Sequence, residues 1–290
     1  MLKFANEIAE LVKEQLGVDV EVSNITKCGD MKKTALVFKK QGVCPNIYID
    51  DLFFQYKKGI FDKKKIVSEV INVYNKSEWN VKSDDIFSRV SLENVIPVLL
   101  NKEKNVEYLS DVVKYKIPNI DTVVVAFQII VEKSVDGRKT LMVTNGMKEK
   151  FFKNVSISEI YKNAVKNMDF CLKDMETVMM EIVYKKENRN YIDSCNVDFS
   201  ENKIYVLSNS DYINGASCIL NTEKMNKIEE KNGSFYVIPS SIHECLLVGK
   251  NISKEELNQM VCEVNANEVR VEEQLDDRVY LFENGVLKVA

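Results

Sequence analysis

The sequence predicts an α+β fold of mixed, mainly antiparallel sheets with packed helices, in two or three modules. Three observations carry this. Short β-branched or aromatic runs recur along the chain. Amphipathic helical stretches lie among them without strict alternation. The pairs Asp136-Gly137 and Asn284-Gly285 read as two-residue hairpin turns joining neighbouring runs.

A first module is expected over residues 1–80. Phe4, Ile8, Leu11 and Val12 mark one face of a helix that Gly17 ends. Residues 18–25 and 34–38 read as strands around a Gly29-Asp30 turn. A short run at 46–49 follows, and Asp50 or Asp51 is placed to cap a helix carrying Leu52, Phe53 and Tyr56. A longer helix over 62–76 puts Ile66, Val70, Val73 and Tyr74 on one side. Lys57, Lys58, Lys63, Lys64 and Lys65 form the most basic patch; without Arg or interleaved aromatics they read as a solvated face, not a nucleic-acid contact. Residues 77–88 are polar and acidic and form the first boundary, with Trp79 as an anchor toward a neighbouring module.

A middle module is expected over 88–186. Residues 90–100 open it as a run interrupted by Pro97, and 122–131 reads as a central strand apolar on both faces. Residues 139–144 return as its hairpin partner, with Asn145-Gly146 as the closing turn. Ser156 and Glu159 form a capping box for a helix with Ile160 and Ala164. Residues 175–184 form a further helix, whose Met175, Met179 and Met180 are read as core packing rather than an adaptable groove.

The last module is expected over 190–290. Residues 204–207 read as a strand, 216–220 as a strand or helix start, and 222–230 as a helix. Phe235 to Ile238 forms a buried strand ended by Pro239, and 242–248 reads as a second one. Ser253 with Glu256 opens a helix whose face is Leu257, Met260, Val261 and Val264 and whose stop is Asn265-Ala266-Asn267. Residues 278–282 and 286–289 close the chain as a hairpin.

Composition bounds the function. The chain has 290 residues, 45% hydrophobic and 29% charged, enough for a sizeable core. A net charge of −4 gives no general footprint for nucleic acid. Seven scattered cysteines without a Cys-x-x-Cys read as reduced, buried thiols of a cytoplasmic protein. No apolar run is long enough to span a membrane. Nucleotide-binding glycine loops are missing, and one histidine cannot build a multi-histidine metal site, so neither cofactor nor metal is expected.

The densest signal surrounds that histidine, in Phe235-Tyr236-Val237-Ile238-Pro239-Ser240-Ser241-Ile242-His243-Glu244. With Ile204-Tyr205-Val206-Leu207-Ser208-Asn209, Asn214-Gly215-Ala216-Ser217 and Glu263-Val264-Asn265, it resembles a domain-of-unknown-function family of uncharacterised proteins from gut clostridia and relatives. Val143-Thr144-Asn145 and Ala164-Val165-Lys166-Asn167 fit the same pattern, while Asn167-Met168 departs from an expected Asn-Thr-Pro. The resemblance implies a shared fold and a bacterial or mobile-element source; it implies no reaction.

For chemistry, His243 with Ser240 or Ser241 is the candidate catalytic set. Cys218 or Cys245 are alternative nucleophiles, and Glu244 or Asp193 the orienter. On one strand His243 and Cys245 would share a face about 6–7 Å apart, long for a poised pair. The competing reading is a serine that satisfies a strand bend beside a packed histidine. The function expected is therefore a non-enzymatic binding or accessory protein with a protein partner; the alternative is a hydrolase or transferase using His243 with a Ser or Cys nucleophile. Oligomeric state stays open.

Overall fold

A computed structural model describes residues 1–39, 46–76, 83–134, 137–185, 190–200, 203–239 and 241–290. Cys44, Trp79, Asp136 and Ser240 lie outside these residues. The chain forms two compact units, Met1–Val90 and Ser91–Ala290. The described strand pairs are antiparallel, and helices accompany them, as an α+β fold requires.

In the first unit, α1 (Leu2–Leu16) ends at Gly17 in the left-handed conformation, where glycine has no Cβ penalty. Strands β1 (Asp19–Lys27), β2 (Met31–Lys39) and β3 (Asn46–Tyr48) form a sheet in that order. The helices α2 (Asp50–Lys57), α3 (Lys63–Lys76) and α4 (Ser83–Ser88) follow. Phe4, Ile8, Val12, Leu36, Phe38 and Ile66 build the core, with the Phe4 ring 5.0 Å from Phe53 and 4.8 Å from Tyr56. Asp50 does not cap α2 with its side chain; the residue at the N-cap is Ile49, and the Asp50 carboxylate accepts from the Thr34 N–H on β2. The basic patch also differs from the expectation. Lys57 and Lys58 lie over the rings of Phe53 and Phe54, so aromatics do interleave, while Lys63 pairs with Glu7 and Lys65 with Glu69.

The second unit holds two sheets. In the four-stranded sheet, β6 (Val123–Ser134) is central, between β4 (Val95–Asn101) on one side and β5 (Lys114–Lys116) and β7 (Gly137–Met142) on the other. Pro97 is tolerated because β4 is an edge strand. Asn145-Gly146 is not a closing turn. Thr144 accepts from the Met147 N–H and starts α5 (Asn145–Phe151). Ser156 caps α6 (Ile157–Lys166) in the same way.

The six-stranded sheet runs β13-β12-β10-β11-β9-β8. Its strands are β8 (Cys171–Asp174), β9 (Ile204–Ser208), β10 (Phe235–Ile238), β11 (Cys245–Val248), β12 (Tyr280–Glu283) and β13 (Val286–Val289). Helix α7 (Met175–Tyr184) follows β8, α8 (Thr222–Asn232) precedes β10, and α9 (Lys254–Asn267) follows β11. Strand β8 thus pairs with β9 in this sheet although the expected module boundary falls after it. Strand β11 begins at Cys245, not at Ile242, so residues 241–244 form a loop. In α9, Leu257 and Val261 are buried, whereas Met260 and Val264 are exposed and Asn265 takes an inner position. Asn265 donates to the Asp276 carbonyl and to Asp277, and the helix ends at Asn267, within the expected stop.

Helix α7 inverts the usual order. Its inner side carries Glu181, which binds Lys173 of β8 at 2.8 and 3.0 Å; the Lys173 side chain is only 2% exposed. Lys173 also sits 5.1 and 5.2 Å from the rings of Tyr191 and Tyr212. Burial pulls the Lys173 pKa down, but Glu181 and Tyr212 outweigh it and hold it above the ordinary lysine value. The methionines, read above as core, are not core: no residue of α7 is buried, and Met179 and Met180 are exposed. Replacing Lys173 by Met leaves Glu181 without its buried cation and is expected to cost about 3–5 kcal/mol in urea unfolding, most of it recovered in K173M/E181L. A K173M variant as stable as the parent would contradict this role for the pair.

Candidate functional site

The site is built where three segments of the second unit meet: the end of β9, the 3₁₀ turn Gly215–Leu220, and the loop 241–244. Gly215 fixes the approach. A Cβ there would overlap Ser208 Oγ and lie 2.6 Å from both the Asn209 nitrogen and the His243 carbonyl oxygen. Only glycine lets these backbones close. Ser208 Oγ then donates to the His243 carbonyl at 2.7 Å, and Ala216 N–H donates to the Ile242 carbonyl. From the other side Ile242 N–H donates to the Glu273 carbonyl at 2.8 Å.

Within the loop, Ser241 is buried and works on its own backbone. Its Oγ accepts from His243 N–H at 3.0 Å and donates to Glu244 Oε1 at 2.7 Å. A serine oxygen that accepts from an N–H two residues on closes a tight turn, which explains why 242–244 leave the strand path. Ser240 lies outside the described residues.

The His243 imidazole is partly exposed. Its Nδ1 accepts from the Asn214 N–H at 3.2 Å, and its Nε2 lies 3.8 Å from Glu273 Oε1. An Nδ1 that accepts a backbone N–H leaves the proton of neutral imidazole on Nε2, facing Glu273. Asn214 presents its N–H from a left-handed conformation, φ 56°, which asparagine adopts more readily than most residues. Asn214 Nδ2 also reaches Gln128 Oε1 of β6 at 3.4 Å, tying the loop to the four-stranded sheet. The structure therefore brings His243 to Asn214 and Glu273, while the Ser241 hydroxyl engages the His243 backbone and Glu244.

The cysteines sit deeper. Cys245 Sγ faces the Ala216 carbonyl and Cys218 Sγ the Asp169 carbonyl at 3.1 Å. Burial raises both thiols far above the ordinary cysteine value, which keeps them protonated and weakly nucleophilic. Asp193 caps a separate turn by accepting from Cys195 N–H. Among the described residues, no group of three or more His, Cys, Asp or Glu is placed to hold a metal ion, and no helix is long and apolar enough to cross a membrane.

A second layer escaped sequence reasoning. Buried Asn209 accepts from the N–H groups of Asp211 and Ile213 and donates to the Ile213 carbonyl, shaping the loop that delivers Asn214. Arg138 of β7 donates to the same Ile213 carbonyl, with its Nε 3.7 Å from Asp211. Nothing local marks Arg138 or Glu273, since each acts on residues far away in the chain. Asn209, Asn214 and Gly215 did stand within the stretches that carry the family resemblance.

Residues 1–284 match a family of unknown function, DUF5688. The chain belongs to DUF5688. The match takes in the first unit as well as the second, so the resemblance carried by the 204–265 stretches extends over nearly all of the chain. No curated protein and no solved structure matches this DUF5688 chain.

Two substitutions probe the assembly. Gly215→Ala is expected to lower unfolding free energy by at least about 2 kcal/mol, because two of the three atoms it meets are backbone. His243→Ala strips the Asn214 N–H of its acceptor and is expected to cost about 1–2 kcal/mol, whereas His243→Asn, which offers an oxygen near the Nδ1 position, should lose less. Equal losses for the two His243 variants in chemical unfolding would show that Nδ1 does not hold the loop.

Proposed function

We propose that this DUF5688 protein is a non-enzymatic binding protein that takes a protein partner on the outward face of α7. One observation carries the reading. Ile182, Val183 and Tyr184 are 72%, 70% and 75% exposed, next to exposed Met179 and Met180. Clustered apolar side chains of this size are costly in water, and each gains about 1.5–3 kcal/mol when buried. Unbranched methionines suit a surface that adapts to a partner. The buried Lys173–Glu181 pair supports the same reading, because it orients the helix with its apolar side outward.

The occupant we commit to is an amphipathic helix of a different protein, lying antiparallel to α7. Exposed Glu176 marks the first turn of α7 and Lys185 its C-cap. Opposite charges at the two ends of the partner helix, a cation at Glu176 and a carboxylate at Lys185, would complement them across about 15 Å. An accessory role in a bacterial or mobile-element system fits the lysine-rich, arginine-poor composition. The hydrolase or transferase alternative has the part-exposed His243 imidazole in its favour. The engagement of Ser241 Oγ by His243 N–H and Glu244 favours the binding reading.

The test places a photo-crosslinking residue at Met180 in the full-length chain and exposes it to extract of the source organism. A cross-link to a segment of helical sequence in a different protein, lost in the Ile182→Glu/Val183→Glu variant with the thermal melting curve unchanged, is the expected result. Cross-links only to a second copy of this chain, or the same cross-links in the variant, would overturn the proposal.

A further inference from the structure

One cavity of the second unit shares no residue with α7 or with the His243 loop. It measures about 900 Å³, within the size range of small-molecule clefts, and lies between the turn segment 102–109, β5, the loop 117–121 and the start of β6. Its walls are sorted by the strand period. In β5, Lys114 and Lys116 share one face and line the cavity, while Tyr115 points the other way and stacks on Tyr161 with ring centres 4.1 Å apart. Lys116 stands across from Val124, another lining residue.

The interior is apolar. Leu109, Ile117, Ile120, Val123 and Val124 are buried and line it, and Val106, 67% exposed, stands at its mouth. The charged groups are one-sided. Lys102, Lys114 and Lys116 face one carboxylate, Asp121, which Arg278 already binds at 3.0 Å and holds below the usual aspartate pKa. Lys114 Nζ donates to the Leu109 carbonyl at 2.7 Å, which leaves two of its three N–H groups for a ligand. Among the described residues, the amino groups of Lys102 and Lys116 form no hydrogen bond or ion pair.

We infer that this cavity binds a small anionic amphiphile, one molecule with an apolar chain or ring system and a single carboxylate head. The body would replace water on the valine, leucine and isoleucine walls, and the head would take the lysines at the rim. The concave shape favours one seated molecule over a flat lipid surface. The paired state of Asp121 removes the group that would attract a cation.

Calorimetric titration of the full chain with decanoate at low ionic strength tests this, with decyltrimethylammonium as the cation of matched chain length. Decanoate is expected to bind one to one and at least about tenfold more tightly than the cation, with an affinity that falls as salt is added. Lys102→Glu/Lys116→Glu should weaken decanoate by about tenfold or more, and Val106→Asp should weaken it without touching the lysines. These positions are exposed, and an unchanged melting curve confirms that the variants fold. No decanoate binding at about millimolar concentration, equal binding of the cation, or an unchanged affinity in the double lysine variant would overturn the inference.

Discussion

The second unit depends on one close contact, the approach of three backbones at Gly215. Neither hydrophobic burial nor strand pairing alone specifies it. The end of β9, the 3₁₀ turn and the 241–244 loop come from separate parts of the sequence, and they meet at distances that no side chain permits. Polar groups then complete the junction. Ser208 closes one side, Ser241 folds its own loop, and Asn209 sets the loop that carries Asn214 to the imidazole. Interiors packed at crystal-like density respond to a single methyl group, and here that methyl would fall on backbone atoms with little room to move.

Much of the architecture was legible because it rests on local signals. The capping serines Ser156 and Ser253 sit where a serine followed three residues later by a glutamate places them. The Asn284-Gly285 turn adopts positive φ at both residues, as a tight hairpin demands. The second unit's central strand, β6, was visible as the most continuous β-branched run, 122–131. What escaped was non-local. The short strand β8 carries a lysine and an aspartate that hide its pairing to β9, and the buried environment of Lys173 depends on Glu181, Tyr191 and Tyr212 arriving from three directions. Residues 242–244 read as strand because they continue the period-two alternation of 242–248; the Ser241 side chain competes with the ladder and wins.

The candidate site was legible in place but not in partners. The chain's only histidine and its serine neighbour marked the region, and the structure does gather conspicuous polar groups there. Which nitrogen faces which group depends on Asn214 and Glu273, and no spacing rule connects residue 243 to residue 273. Helix α7 gives a parallel lesson. Periodicity measures how apolar a helix is, but not which side a sheet covers, and a buried ion pair reversed the expected orientation.

The sheet order has a consequence in time as well as space. Rings of Phe199, Phe235 and Phe282 stack in series at 5.5 and 5.4 Å, joining a segment before β9 to β10 and β12. A ribosome releases Phe282 long after it has released the first unit, whose core is self-contained. At ordinary rates of synthesis, the delay is roughly ten to forty seconds. Late in that interval the nascent chain carries the first unit and strands β8 to β11 but still lacks β12 and β13, with the Phe235 ring unsupported on one side. A chaperone that shields this strand edge would act on the growing polypeptide, before the mature protein exists.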